Sequence, residues 1–210
     1  MLTASLTRAL STALLVPLFL ALAASRVTAQ QPDAHQHHMA GMTPVKVPAG
    51  ALYTEADVRF MQGMIAHHAQ AIHMSRMAAA RGADPRVLRF ATKIDQSQIA
   101  EIFLMQDWLR RNGQQAPDTS SWRTMQMPGM LTAPQLAQLD SARGAGFDRL
   151  FLTLMIQHHE GALKMVDDLS ASWRNAQDVD VSVFANDVQT VQTAEIGVML
   201  QMLDELSAAR

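Results

Sequence analysis

The sequence predicts an all-α protein, a four-helix bundle made of two pseudo-repeated helical hairpins. Three observations lead there. No stretch alternates apolar and polar residues as a half-buried strand would. Four long segments instead carry apolar residues at helical spacing, and capping residues or glycine-containing breaks mark their ends. The chain also repeats itself. Asp57, Phe60, Met64, Ile65, His67, His68, Ala71 and Met74 match Asp148, Phe151, Met155, Ile156, His158, His159, Ala162 and Met165 at an offset of 91 residues. Phe90, Ala91, Gln98, Glu101, Ile102 and Met105 match Phe184, Ala185, Gln192, Glu195, Ile196 and Met199 at an offset of 94. The offsets differ by the lengths of the two hairpin turns, and two hairpins related in this way make a four-helix bundle.

The elements follow in order. Residues 1–29 hold one early charge, Arg8, then the apolar run "ALLVPLFLALAA", and close on Val27-Thr28-Ala29. This reads as a secretory signal peptide cleaved near Ala29, with an uncleaved anchor as the alternative. The run is short for a membrane span. Residues 30–51 have three prolines, two glycines and no apolar period, and read as a disordered or extended tail. The bundle is expected over 52–210. Its first helix starts at Thr54, with Asp57 at the capping-box position, and runs to about Arg81 before Gly82. Asp84-Pro85 opens the second, which ends at Asn112-Gly113. A linker over 112–133 leads to a short helix after Thr132, with Pro134 and Gln135 in its first turn, ending near Gly144-Ala145-Gly146. The third long helix is expected from Phe147-Asp148 to about Ser172, and the fourth from Val179 onward.

Charge excludes some functions. Of 17 basic and 19 acidic residues, only Arg8 and Arg26 lie in the leader, so the remainder is near −4 with neutral histidines. No basic field exists to attract nucleic acid, or anionic lipid once the leader is removed. Fifteen methionines and no cysteine stand out in a chain addressed to the periplasm or the exterior, an oxidising compartment. Thioether and imidazole bind copper without the oxidation and exchange that free thiols undergo there. A large helical core that needs no disulfide explains the missing cysteine equally well.

Helical geometry sorts the histidines. Met61, Met64, Ile65, His68, Ala71 and Ile72 share the apolar face of the first helix, so His68 points into the bundle, and His159 does so by repeat. Glu101 with Gln98, and Glu195 with Gln192, interrupt otherwise apolar stripes on the second helices. Buried polar groups need partners, so His68, His159, Glu101 and Glu195 read as paired core groups that fix each hairpin. A metal bound among the four is the alternative, although carboxylate-bridged bundles use Glu-x-x-His on one helix and neither glutamate has that histidine. His67 and His158 fall on the flank. Each has methionines at helical neighbour spacing or two turns on, Met64 and Met74 for the first, Met155 and Met165 for the second. An imidazole with one or two thioethers at the surface suits Cu(I) or Cu(II). Met61, Met105 and Met199 read as core filling, while Met74 and Met165 fit either role.

Two clusters lie outside the helices. "HQHHMAGM" supplies His35, His37, His38, Met39 and Met42 on the tail, and "MQMPGM" supplies Met125, Met127 and Met130 in the linker. The tail residues read as metal capture. The linker methionines read either as accessory ligands or as plugs that anchor the loop.

"FMQGMIAHHAQAIHM", "MPGMLTAPQLAQL", "GAGFDRLFLTLMIQHHEGALKM" and the two Q-x-x-E-I helices together resemble the domain of unknown function 305 (DUF 305) family, from about Thr54 to Leu206. The resemblance implies a ferritin-like four-helix fold in secreted or periplasmic proteins, some linked to copper binding and tolerance. It carries the paired histidines and downstream methionine onto His67, His68, Met74, His158, His159 and Met165. Leu163-Lys164 departs from the family pattern and adds a charge beside the second site, so unequal affinities are expected.

The sequence therefore points to a copper-binding protein without catalysis that sequesters or delivers the ion, with a copper-handling protein as recipient. A ferritin-like oxidase with metal among His68, His159, Glu101 and Glu195 is one alternative, and a structural module whose histidines only tie helices together is another. No nucleophile motif or phosphate loop is present, and the oligomeric state is left open.

Overall fold

The computed structural model describes residues 44–172 and 174–208. The leader and His35, His37, His38, Met39 and Met42 lie outside the described residues. Five α-helices, α1 (Glu55–Ala80), α2 (Pro85–Arg111), α3 (Ala133–Ser141), α4 (Gly144–Ser170) and α5 (Val179–Ala208), carry the fold, with one 3₁₀ turn at Ser121–Arg123 and no strand among the described residues. No helix among them is long and apolar enough to cross a membrane.

Local chemistry sets the ends. Thr54 and Asp57 form the expected capping box on α1, and Thr132 and Gln135 form another on α3. Asp84 accepts the Arg86 N–H ahead of Pro85. α4 begins three residues before Phe147, the expected start. The Gly144 N–H is bonded to the Arg81 carbonyl at 2.9 Å, and Gly144 takes a positive φ of 52°. The glycine therefore opens the helix and does not merely separate two elements.

α1 and α2 form one hairpin, α4 and α5 the other, and the hairpins join along an α1–α4 seam. The seam is antiparallel, because Gly63 lies beside Met165, His67 beside His158, and Arg81 beside Gly144. Two aspartates tie each hairpin to the turn of the other. Asp57 accepts the Ala176 N–H at 2.7 Å, and Asp148 accepts the Asp84 N–H at 3.0 Å. They occupy equivalent places in the repeat, so the exchange is reciprocal. Burial raises the Asp148 carboxyl above its usual range. On the outer side, ion pairs link α2 to α5 at Lys93–Glu195, Arg86–Glu205 and Arg111–Asp180.

The chain entering α1 has no regular structure from Pro44 to Lys46, yet Val45, Val47 and Ala51 pack against the core, and Gln114 donates to the Lys46 carbonyl. The final stretch of the expected tail is thus laid against the helices.

Candidate metal centre

Helical periodicity brings all four repeated histidines to the interior, where each is fully buried. The expectation of a surface flank for His67 and His158 is corrected here. The flank of each first helix is the seam itself, so the two rings face one another with centroids 3.8 Å apart and planes at 42°. The chain from Met125 to Leu131 closes over the same seam.

The inner histidines meet the glutamates of their own hairpins. His68 Nε2 donates to Glu101 Oε2 at 2.5 Å, and His159 Nε2 to Glu195 Oε2 at 2.8 Å. Glu195 also faces Lys93 Nζ at 3.3 Å. Burial works against its charge, but His159 and Lys93 outweigh that and hold its carboxyl below the usual range. Gln98 and Gln192 are buried nearby on the helical stripe, each with an Oε1 that lacks a hydrogen-bond partner. Among the described residues, no group of three or more His, Cys, Asp or Glu side chains stands close enough to hold a metal ion. The four-residue centre considered for an oxidase is therefore not assembled, and those groups stand as two separate pairs.

The seam pair is different. His67 Nε2 donates to the Pro128 carbonyl at 3.1 Å. Its Nδ1, and both ring nitrogens of His158, lack a hydrogen-bond partner of standard geometry, and each ring makes a looser contact with the other's backbone. Burial, reinforced by the neighbouring histidines, lowers the pKa of both rings well below the ordinary imidazole value. The rings are neutral at pH 7 and offer lone pairs. Methionines line the same seam. Met64 and Met155 sit one turn before the two histidines and are fully buried, as is Met74, while Met165 is nearly so. The Met165 side chain reaches Gly63, one turn before His67, and so does the Met127 thioether.

The linker methionines are buried against the core, and the backbone around them is clamped. Gln70 binds both the N–H and the carbonyl of Leu131, at 2.6 and 3.0 Å. Gln157 donates to the Gly129 carbonyl, and the Met127 N–H points at the Met130 thioether. Gly161 lets the loop in: a Cβ there would overlap the Pro128 carbonyl oxygen. The sequence reading assigned no role to Gly63, Gln70, Gln157 or Gly161. The available signal was a glycine interrupting each first helix beside its histidine pair.

Other residues lie apart from this centre. His73, the third histidine of α1, stacks on Trp122 with centroids 4.8 Å apart. Lys164 is exposed and paired with Asp168, so its charge is directed to solvent.

Comparisons with known proteins agree with this architecture. The pattern that defines the domain of unknown function DUF305 matches residues 57–203. No match was found among curated proteins. A DUF305 protein of Streptomyces coelicolor is 29% identical, with a TM-score of 0.63, over 72% of this chain and 94% of that one. A DUF305 fragment of Deinococcus radiodurans is 30% identical, with a TM-score of 0.62, over 73% and 98%. CopM in a Cu(I)-bound form is 28% identical, with a TM-score of 0.58, over 71% and 96%, and it matches similarly in Cu(II)- and Ag-bound forms. With matched residues reaching from the first turn of α1 to the last turns of α5, this chain belongs to the DUF305 family.

Proposed function

We propose that this protein binds copper at the α1–α4 seam, as cargo and without catalysis. The observation that carries the reading is the set of orphaned ring nitrogens. In a fully buried site, both nitrogens of His158 and Nδ1 of His67 lack a hydrogen bond of standard geometry, and each ring has besides only a looser contact with the other's backbone. Buried polar atoms are normally paired, and an orphan calls for a ligand or a cost. Two neutral imidazoles among thioethers form a soft donor set, which suits Cu(I) over hard divalent ions. Copper- and silver-bound CopM, a protein of similar fold, supports the same choice. His67 and His158 supply the nitrogens, and the candidate thioethers are Met64 and Met155, one turn before them, with Met165 and Met127, which reach Gly63 one turn before His67. His35, His37, His38, Met39 and Met42 serve as the capture segment of a periplasmic or secreted protein, and a copper-handling protein receives the ion.

The test is metal content by mass spectrometry after the mature chain competes for Cu(I), Cu(II), Zn(II) and Fe(II) and is desalted. Copper should be retained by the wild type, and retention should drop when His67 and His158 are both changed to Gln. Copper retained undiminished by that double variant moves the site elsewhere, and no retained metal leaves the histidines as architecture.

A further inference from the structure

The two seam histidines are equivalent in the repeat but not in their surroundings. The linker between hairpins occurs once, so only His67 meets a Pro128 carbonyl. A carbonyl oxygen can only accept, so Nε2 must carry the hydrogen, and a neutral ring then has a bare lone pair at Nδ1. That buried nitrogen makes no hydrogen bond of standard geometry. Resting on the copper reading, we propose that the Pro128 carbonyl is a positioning group that fixes the His67 tautomer, so that His67 offers Nδ1 to the metal.

The chain builds this restraint with care. Pro128 has no N–H, and the loop around it is fastened through Gln70 to Leu131 and through Gln157 to Gly129. Gly129 takes a φ of 77° where its backbone meets α4. Gly161 admits the Pro128 carbonyl to the space that a Cβ would fill. An outer oxygen that holds the non-ligating nitrogen of a histidine orients the ring and raises its basicity, and losing one commonly weakens metal binding tenfold or more. The same pattern recurs at His68 and His159, whose Nε2 atoms are held by glutamates and whose Nδ1 atoms are unpartnered. His158 faces the His67 backbone instead, a contact looser than the bond from His67 to Pro128.

Nitrogen-15 NMR of the metal-free protein reads the tautomer from two-bond nitrogen–proton couplings. His67 should be protonated at Nε2 and bare at Nδ1. Titration with Ag(I), a diamagnetic probe of Cu(I) sites, should then move the His67 Nδ1 resonance. Gly161→Ala pushes the Pro128 carbonyl away and leaves both histidines in place, and Met127→Ala is the control for the one thioether the loop would carry with it. In Gly161→Ala, His67 should populate both tautomers, and the Kd for Ag(I) should rise about tenfold with stoichiometry unchanged. If that variant does not fold, Gln70→Ala frees the same loop at Leu131. A His67 ring protonated at Nδ1 in a protein that binds Ag(I), or a metal shift at Nε2, would overturn the proposal alone. A bare Nδ1 in a protein that binds neither Ag(I) nor Cu(I) would instead overturn the metal reading and leave the tautomer standing.

Discussion

The rings of His67 and His158 pack against each other at 3.8 Å although 91 residues separate them in the chain. Protonating either ring would place a charge against the other in a fully buried seam. Both folded-state pKa values are depressed, by burial first and by neighbouring histidines second. The unfolded chain therefore binds more protons once the pH falls below about 6.5. Stability is full above that value and is lost progressively as the pH drops toward the folded-state values. Each ring contributes a slope of up to about 1.4 kcal/mol per pH unit. Urea unfolding between pH 7.5 and 5.5 should show the loss, and His158→Gln should flatten it. Parallel profiles for wild type and variant would rule out the seam as its source.

The two His–Glu pairs look alike in the sequence and differ in depth. The Glu101 side chain is 25% exposed, whereas that of Glu195 is 3% exposed and faces both His159 and Lys93. Water can replace the carboxylate at His68 more easily than at His159. Glu195→Ala should therefore cost more than Glu101→Ala, with the larger loss in the range of about 1–3 kcal/mol for an orphaned buried partner. Denaturant melts of the two variants measure this, and equal losses would show that depth does not separate them.

The capture role proposed for the tail makes a separate prediction. Alanine at His35, His37, His38, Met39 and Met42 changes no residue of the five helices, so the folded domain should melt as before. Bound copper per chain should fall, as read by mass spectrometry after desalting. Unchanged stoichiometry would confine binding to the helices.

Much of the fold was legible because the signals were local or repeated. Thr54 and Asp57 announced a helix start through two side chains three residues apart, and the pairing of His68 with Glu101 followed from two helical faces and the cost of leaving either group alone. The seam was less legible. Periodicity placed His67 and His158 on a flank, but one helix cannot reveal whether its flank meets water or another helix. What buried them was the α1–α4 packing and the cover of Pro128 and Gly129, set by Gly63 and Gly161 at a distance in sequence. A backbone carbonyl as the partner of His67 leaves no mark on residue type at all.

Gly129 tests how firmly that cover is seated. Gly113 and Gly129 both have positive φ, 65° and 77°. An alanine at either pays the left-handed backbone penalty of about 1–2 kcal/mol. At Gly113 nothing else lies within 4 Å of the new Cβ, whereas at Gly129 it would stand 2.6 Å from the Gln157 carbonyl oxygen and from the Gly161 Cα. Those are backbone atoms of α4 and cannot swing aside, so the loop must lift. Gly129→Ala should lower stability clearly more than Gly113→Ala and should also expose Met127 and Met130 to oxidation by dilute peroxide. Peptide mass mapping of methionine sulfoxide would show it. Equal stability losses with Met127 and Met130 still protected would mean that the loop yields without leaving the seam.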